Sequence, residues 1–197
     1  MLDKTAIILA GGKNSRMNYK NKSFLNVKGK SFIEAILDEV SSYREKIIVS
    51  NKPGLYNYLG VKIVKDIIPG HGPLSGIHAG LINAEYEHSL VLACDMPFVK
   101  KKLVDYLGEL AEGYDAVVPK SGQHFQPLCA IYSKGCIEAI ERCLKNNIYK
   151  IIDIYPKIKV RYVNYDELKD FKDIEGIFRN INTPSDYSKF VNKDKSL

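Results

Sequence analysis

The chain is predicted to fold as a doubly wound, three-layer α/β domain with a mainly parallel central sheet. Three observations carry this. Short apolar runs alternate with stretches of helical periodicity along the first two-thirds of the chain. The runs are apolar at consecutive positions, the mark of strands covered on both faces. Glycine, asparagine or aspartate then closes each run at the same end, where such a sheet keeps its ligands.

Residues 5–10 (TAIILA) form the first strand. Ser31 is placed to cap a helix in which Phe32, Ile33, Ile36, Leu37 and Val40 recur at helical spacing. Residues 46–49 (KIIV) and 61–64 (VKIV) give the second and third strands. Pro73 suits a first helical turn and opens a helix over 74–84. Residues 89–94 (SLVLAC) read as the most central strand, followed by a helix over 101–110 and a strand over 115–118. The last third is less regular, with a strand at 128–132, an amphipathic helix over 135–145, a short strand at 160–164 and a terminal helix over 184–191. No internal repeat or low-complexity linker interrupts the 197 residues, so a single domain over 1–197 is expected.

With 45% hydrophobic and 26% charged residues, the composition is that of a globular protein. No apolar run approaches the roughly 20 residues a bilayer requires, so no membrane partner is expected. The N-terminal apolar stretch is short and runs into glycines and cations, which fits a first strand and a cytoplasmic chain. A net charge of +6 suits an anionic partner, yet the lysines are scattered rather than gathered on one face, so nucleic acid is not expected. Cys94, Cys129, Cys136 and Cys143 form no CxxC pair and are expected to be buried thiols. His71, His78, His88 and His124 have no evident nucleophile beside them.

The chemistry gathers at the strand ends. The four successive strands close at Gly11-Gly12, Ser50-Asn51, Asp66 and Asp95, bringing backbone donors, an amide and two carboxylates to one rim. Any one of these alone could be only a turn residue. The loop LAGGKNSRMNYKNK, residues 9–22, carries Lys13, Arg16, Lys20 and Lys22 with no acid. It is neither GxxxxGK[ST] nor GxGxxG. Its glycines can present consecutive N–H groups as an anion nest, Arg16 offers a planar fork for phosphate oxygens, and Lys22 adds a point charge. In CDMPF, Asp95 ends a buried strand, where a carboxylate needs a cation or metal beside it. Hard oxygens and phosphates together favour Mg²⁺.

These segments resemble a known family. LAGGKNSRM with Lys22, GPLSG at 72–76, CDMPF at 94–98, QPL at 126–128 and RNINTPSD at 179–186 occur in the order and spacing of the molybdenum cofactor guanylyltransferases, within the nucleotidyltransferase superfamily. The chain departs from relatives at Asn18-Tyr19 and Asn21, where Gly-Gly and an acid are common before the lysine. The resemblance implies a Rossmann-like nucleotidyltransferase fold. It implies GTP binding by the backbone of Leu9, Ala10, Gly11 and Gly12, with Lys22, Asn51, Asp66 and Asp95 completing the site and Asp95 also on Mg²⁺. It implies transfer of GMP from GTP to the phosphate of molybdenum-loaded molybdopterin, releasing pyrophosphate.

On this reading Arg16, Lys22 and Asp95 are the catalytic residues, and no general base is needed because the attacking phosphate is already ionised. Residues up to about 110 would hold the nucleotide and residues from about 111 would face the pterin, with His124, Gln126, Asn180 and Asn182 as candidate contacts. Transient contact with proteins that deliver the cofactor to molybdoenzymes is allowed for. The alternatives are a sibling transferase using CTP or a sugar phosphate, and a non-enzymatic molybdopterin carrier. Joint presence of Arg16, Lys22 and Asp95 speaks against a carrier, which has no leaving group to stabilise.

Overall fold

A computed structural model describes residues 1–11, 21–27, 29–121 and 123–188. Gly12, Lys13, Arg16 and Lys20, and residues 189–191 of the expected terminal helix, lie outside the described residues.

In chain order the elements are β1 (Leu2–Leu9), a hairpin of β2 (Asn26–Val27) and β3 (Lys30–Ser31), α1 (Phe32–Glu39), β4 (Tyr43–Val49), β5 (Lys62–Val64) and α2 (Pro73–Asn83). There follow β6 (His88–Ala93), α3 (Lys101–Glu109), β7 (Ala116–Ser121), β8 (His124–Phe125), β9 (Cys129–Ser133), α4 (Ile137–Lys145), β10 (Val160–Asn164) and α5 (Ile174–Ile177). The central sheet runs β10-β7-β9-β6-β1-β4-β5, with β8 paired to the end of β7. β1 pairs in parallel with both β4 and β6, β4 with β5, and β7 with β10. β9 is antiparallel to β6 and to β7.

Side chains of β1 alternate between two apolar layers, as the two-residue period of a strand requires. Ala6 and Ile8 face Ile33 and Ile36 of α1 and Leu103, Val104 and Leu107 of α3. Ile7 faces the other way, into the layer of Leu74, Ile77 and Leu81 from α2 and Ile140 and Leu144 from α4. α2 lies very close to the sheet at Gly80, where a Cβ would stand 2.6 Å from Cγ2 of Ile7. Two caps fix helix starts. Ser31 and Glu34 form a reciprocal capping box at α1. Gly72, at φ +65°, makes a turn that L side chains disfavour, with Pro73 in the first turn of α2.

Three differences from the sequence expectations stand out. The 128–132 strand was expected without a direction and runs antiparallel. Residues 151–157 form an unexpected 3-10 helix containing Pro156, which has no 3.6-residue periodicity to read. The helix expected from residue 135 begins with a 3-10 turn, and α4 proper starts at Ile137. The terminal helix opens at residue 184 as expected. Among the described residues no helix is long and apolar enough to cross a membrane.

Candidate active site

The sheet order creates a switch point. From β1 the chain moves out through α1 to β4 and β5, then returns through α2 to β6 on the opposite side of β1. Loops leaving β1 and β6 at their carboxyl ends therefore diverge and leave a crevice, where ligands of open α/β sheets bind. Register places the four expected strand ends together on this edge. Leu9 pairs with Ala93 on one side and Val49 on the other, and Val49 pairs with Val64. Gly11, Asn51, Asp66 and Asp95 thus follow adjacent strands at one rim, as the sequence predicts.

Asp95 is held by a turn whose flanks are buried. The Met96 N–H donates to the Ala93 carbonyl at 3.2 Å, and Met96 is 1% exposed. The Cys94 N–H donates to the Leu9 carbonyl at 3.1 Å, so the carboxylate is braced against the exit of β1. Lys22 lies on a 3-10 turn, Lys22–Phe24, capped by the Asn21 side chain, which accepts from the Ser23 N–H at 3.1 Å. Its Nζ donates to Asp95 Oδ2 at 3.0 Å and to Asn182 Oδ1 at 2.7 Å. The lysine and aspartate side chains are only 12% and 19% exposed, so the pair is largely shielded from water. A cation for Asp95 was expected; that Lys22 supplies it within the protein was not foreseen.

Asn182 arrives from the far end of the sequence. Thr183 and Asp186 explain how: the Asp186 carboxylate accepts from the Asn182 and Thr183 N–H groups at 3.1 and 2.8 Å, while the Thr183 hydroxyl accepts from the Asp186 N–H at 3.1 Å. This is a capping box, with Pro184 after the cap, and it fixes the backbone that carries Asn182. The Ile181 N–H donates to the Asp95 carbonyl at 2.9 Å, tying the same segment to β6. Asn180 is exposed beside it.

The other expected residues separate into groups. Asn51 and Asp66 hold each other, Nδ2 to Oδ2 at 2.8 Å and Oδ1 to the Asp66 N–H at 3.1 Å. The Ala10 N–H donates to Val49 at 3.0 Å, and the Leu9 carbonyl serves Cys94, so these two backbones are engaged in the sheet. Gly11 is exposed, and among the described residues no atom beyond its chain neighbours lies within 4 Å of where a Cβ would stand. Gly12 and Arg16 lie outside the described residues. Gln126 donates to the Tyr165 hydroxyl at 3.1 Å, next to Leu128, whose carbonyl accepts from Ala93 at 3.0 Å, so QPL also borders the Asp95 turn. His124 is exposed on β8, farther out along the β7 side of the edge. His78 and His88 are tied to Glu141 and to the Tyr114 carbonyl. All four cysteines are buried and free. Burial pushes the Cys94 thiol up to about 11, so it is no nucleophile at neutral pH despite its position beside Asp95.

Sequence reasoning missed Asn21, Ser23 and Tyr56, which together hold the base of the loop. Asn21 and Ser23 are small polar residues flanking a lysine, a composition that any exposed loop shares. Tyr56, in the polar stretch PGLYNY, has no local signal of being fully buried.

Comparison with known proteins bears on this geometry. Residues 6–159 match the MobA-like NTP transferase domain. The chain is 46% identical over 196 residues to a probable molybdenum cofactor guanylyltransferase from Clostridium perfringens, with 98% of each chain covered. In three dimensions it is similar to molybdopterin-guanine dinucleotide biosynthesis protein A from Archaeoglobus fulgidus, at a TM-score of 0.82 and 29% identity, covering 98% of this chain and 100% of that one. A 4-diphosphocytidyl-2C-methyl-D-erythritol synthase from Anaerococcus prevotii shares the fold at a TM-score of 0.74 and 16% identity, over 98% of this chain and 96% of that one.

Proposed function

The chain belongs to the MobA-like NTP transferase family, and from that premise we propose that it transfers GMP from GTP to the phosphate of molybdenum-loaded molybdopterin. One observation carries the proposal within the fold: Lys22 Nζ sits between Asp95 and Asn182 at the switch point of the sheet. That places a cation from the first loop, a carboxylate from the central strand and an amide from the C-terminal segment around one crevice.

A terminal phosphate oxygen of the pterin substrate attacks the α-phosphorus of GTP. The bond from that phosphorus to the α,β-bridging oxygen breaks, and pyrophosphate leaves with the electron pair. Such a reaction depends on alignment and on neutralising charge on the departing oxygens. Lys22, whose ammonium reaches the crevice, and Arg16 on the same loop stabilise that charge. Gly11 and Gly12 offer backbone N–H groups to the phosphates, and Asn51 and Asp66 hold the nucleoside end. The attacking phosphate is ionised at neutral pH, so no side chain has to take a proton.

The donors present fit Mg²⁺. Among the described residues no cluster of three or more acidic, histidine or cysteine side chains forms a closed metal cage. Asp95 is a single carboxylate beside the expected phosphate path, and Lys22 engages one of its oxygens, Oδ2. One protein carboxylate with substrate phosphates and water is how Mg²⁺ is usually held. Bound there, the ion would neutralise phosphate oxygens and polarise the α-phosphorus.

The acceptor half of the site would be built from the chain beyond residue 110, with Gln126, Asn180 and Asn182 nearest the Asp95 turn and His124 farther out. The reading puts the reaction in the cytoplasm, with GTP and molybdopterin as partners. Pyrophosphate release measured across GTP, CTP, ATP and UTP, with and without molybdenum-loaded molybdopterin, tests it. Release that needs both GTP and the pterin is expected. Preference for CTP, or turnover with a sugar phosphate in place of the pterin, would overturn it.

A further inference from the structure

We infer that Tyr56 is a positioning residue for Lys22, acting through its buried hydroxyl. The inference rests on the proposed role of Lys22 at the phosphates. Tyr56 is 0% exposed although it follows a 3-10 turn, Pro53–Leu55, in the connection after β4. Its hydroxyl lies 3.1 Å from the Ala10 carbonyl oxygen and 3.1 Å from Ser23 Oγ, and accepts from Asn21 Nδ2 at 2.9 Å. A phenol has one proton for the first two. With that proton on Ala10, the Ser23 hydroxyl donates back to the phenol oxygen, and all three contacts hold at once.

These partners are the ends of one loop. Ala10 is where β1 leaves the sheet, and Asn21 and Ser23 are the residues on either side of Lys22. One hydroxyl therefore pins the exit of β1 to the 3-10 turn that carries the lysine. The linkage continues to the other wall of the crevice through Lys22 itself, whose Nζ donates to Asp95 Oδ2 at 3.0 Å. The Tyr56 ring has its own partner in Phe24, stacked at 5.4 Å between centroids. Packing alone would be met by phenylalanine. The hydroxyl is what packing does not require, and a buried hydroxyl is retained at a cost unless it is bonded. Being fully buried, it does not touch substrate; it sets where the Lys22 ammonium points.

The test is Tyr56→Phe, which keeps the ring and removes only the oxygen. Reactivity of Lys22 toward acetic anhydride, quantified by mass spectrometry against the exposed Lys65, reads the position of the ammonium without reference to turnover. We expect Lys22 to be protected in the wild type and labelled several-fold faster in Tyr56→Phe. In the transferase assay kcat should fall by about 10- to 100-fold, as expected for a misplaced group, and Tyr56→Phe should cause no further loss of GTP affinity in a Lys22→Met background. Asn21→Ala removes one arm of the cluster and should give a smaller increase in labelling, which keeps the test decisive if Tyr56→Phe does not fold. Unchanged labelling in the variant that folds, or an equal loss of GTP affinity in both backgrounds, overturns the inference. Wild-type protein that releases no pyrophosphate would overturn the proposed function instead, and the labelling result would still stand.

Discussion

Exchange of Lys22 for methionine separates the structural from the chemical role of the crevice cation. Methionine keeps most of the apolar stem and deletes the charge. At 3.0 Å, the Lys22–Asp95 attraction is about 5.5 kcal/mol gross at an effective dielectric of about 20. Much of that is cancelled by the water both groups lose, since their side chains are 12% and 19% exposed. What remains on deletion is a shielded carboxylate without its cation and an Asn182 oxygen without its donor, a loss of about 2–3 kcal/mol. For a chain of 197 residues that lowers Tm by roughly 4–12 °C. Turnover should fall further, by about 10²–10³-fold, because a charge stabiliser is worth roughly 3–4 kcal/mol in the transition state. Adding Asp95→Asn should recover part of the stability, with a coupling of about 1–2 kcal/mol, and none of the activity. Thermal unfolding and pyrophosphate release on the four proteins of the cycle measure both. Near-wild-type turnover in Lys22→Met would refute the reasoning, as would a double variant no more stable than the sum of the single losses.

Three further outcomes follow from the fold. Gly80→Ala drives a methyl to within 2.6 Å of Ile7, a buried side chain of β1, and should destabilise by about 1–3 kcal/mol in chemical denaturation despite alanine's better helix propensity. Ser31→Ala removes the α1 cap and should cost about 1 kcal/mol by the same measurement, with GTP affinity unchanged. Burial raises the thiols of Cys94 to about 11 and of Cys129 and Cys136 to about 12, from an ordinary value of 9.0. Unfolding therefore releases these protons more readily than the native state does. Stability is intact below pH 9 and should decline as pH rises from about 9 toward 12, with a shallower decline in Cys94→Ala.

The central strands, such as β1 and β6, were legible because each holds a short apolar run buried on both faces, whereas the edge strands β5 and β10 include Lys62 and Arg161 and are only partly buried. The apolar pattern also hid the reversal of β9: residues 128–132, LCAIY, are apolar at every position, and apolarity has no direction. Two helix starts were legible from a local signal, at Ser31 and at Pro73. The 3-10 helix at 151–157 was not, since its apolar residues match neither the strand nor the helix period. The site divides in the same way. Gly11, Asn51, Asp66 and Asp95 could be placed on one rim because each ends a strand, and strand order then sets the geometry. The contact of Lys22 with Asn182 spans 160 positions, and nothing near either residue announces it. Tyr56 was invisible for a related reason. Its neighbours are polar, and what buries it is the pairing of β1 with β4 and the return of the 21–24 turn, which are properties of the assembled sheet.

Guanylyl transfer is tested most directly by following both ends of the nucleotide in a single turnover. GTP labelled at the α-phosphorus and at the γ-phosphorus is incubated with the protein, Mg²⁺ and molybdenum-loaded molybdopterin. The α-label should move to a pterin dinucleotide while the γ-label appears as pyrophosphate, in equal amounts and only when the pterin is present. An α-label that stays in GTP, or leaves as free GMP, or a γ-label released as orthophosphate, would contradict the account.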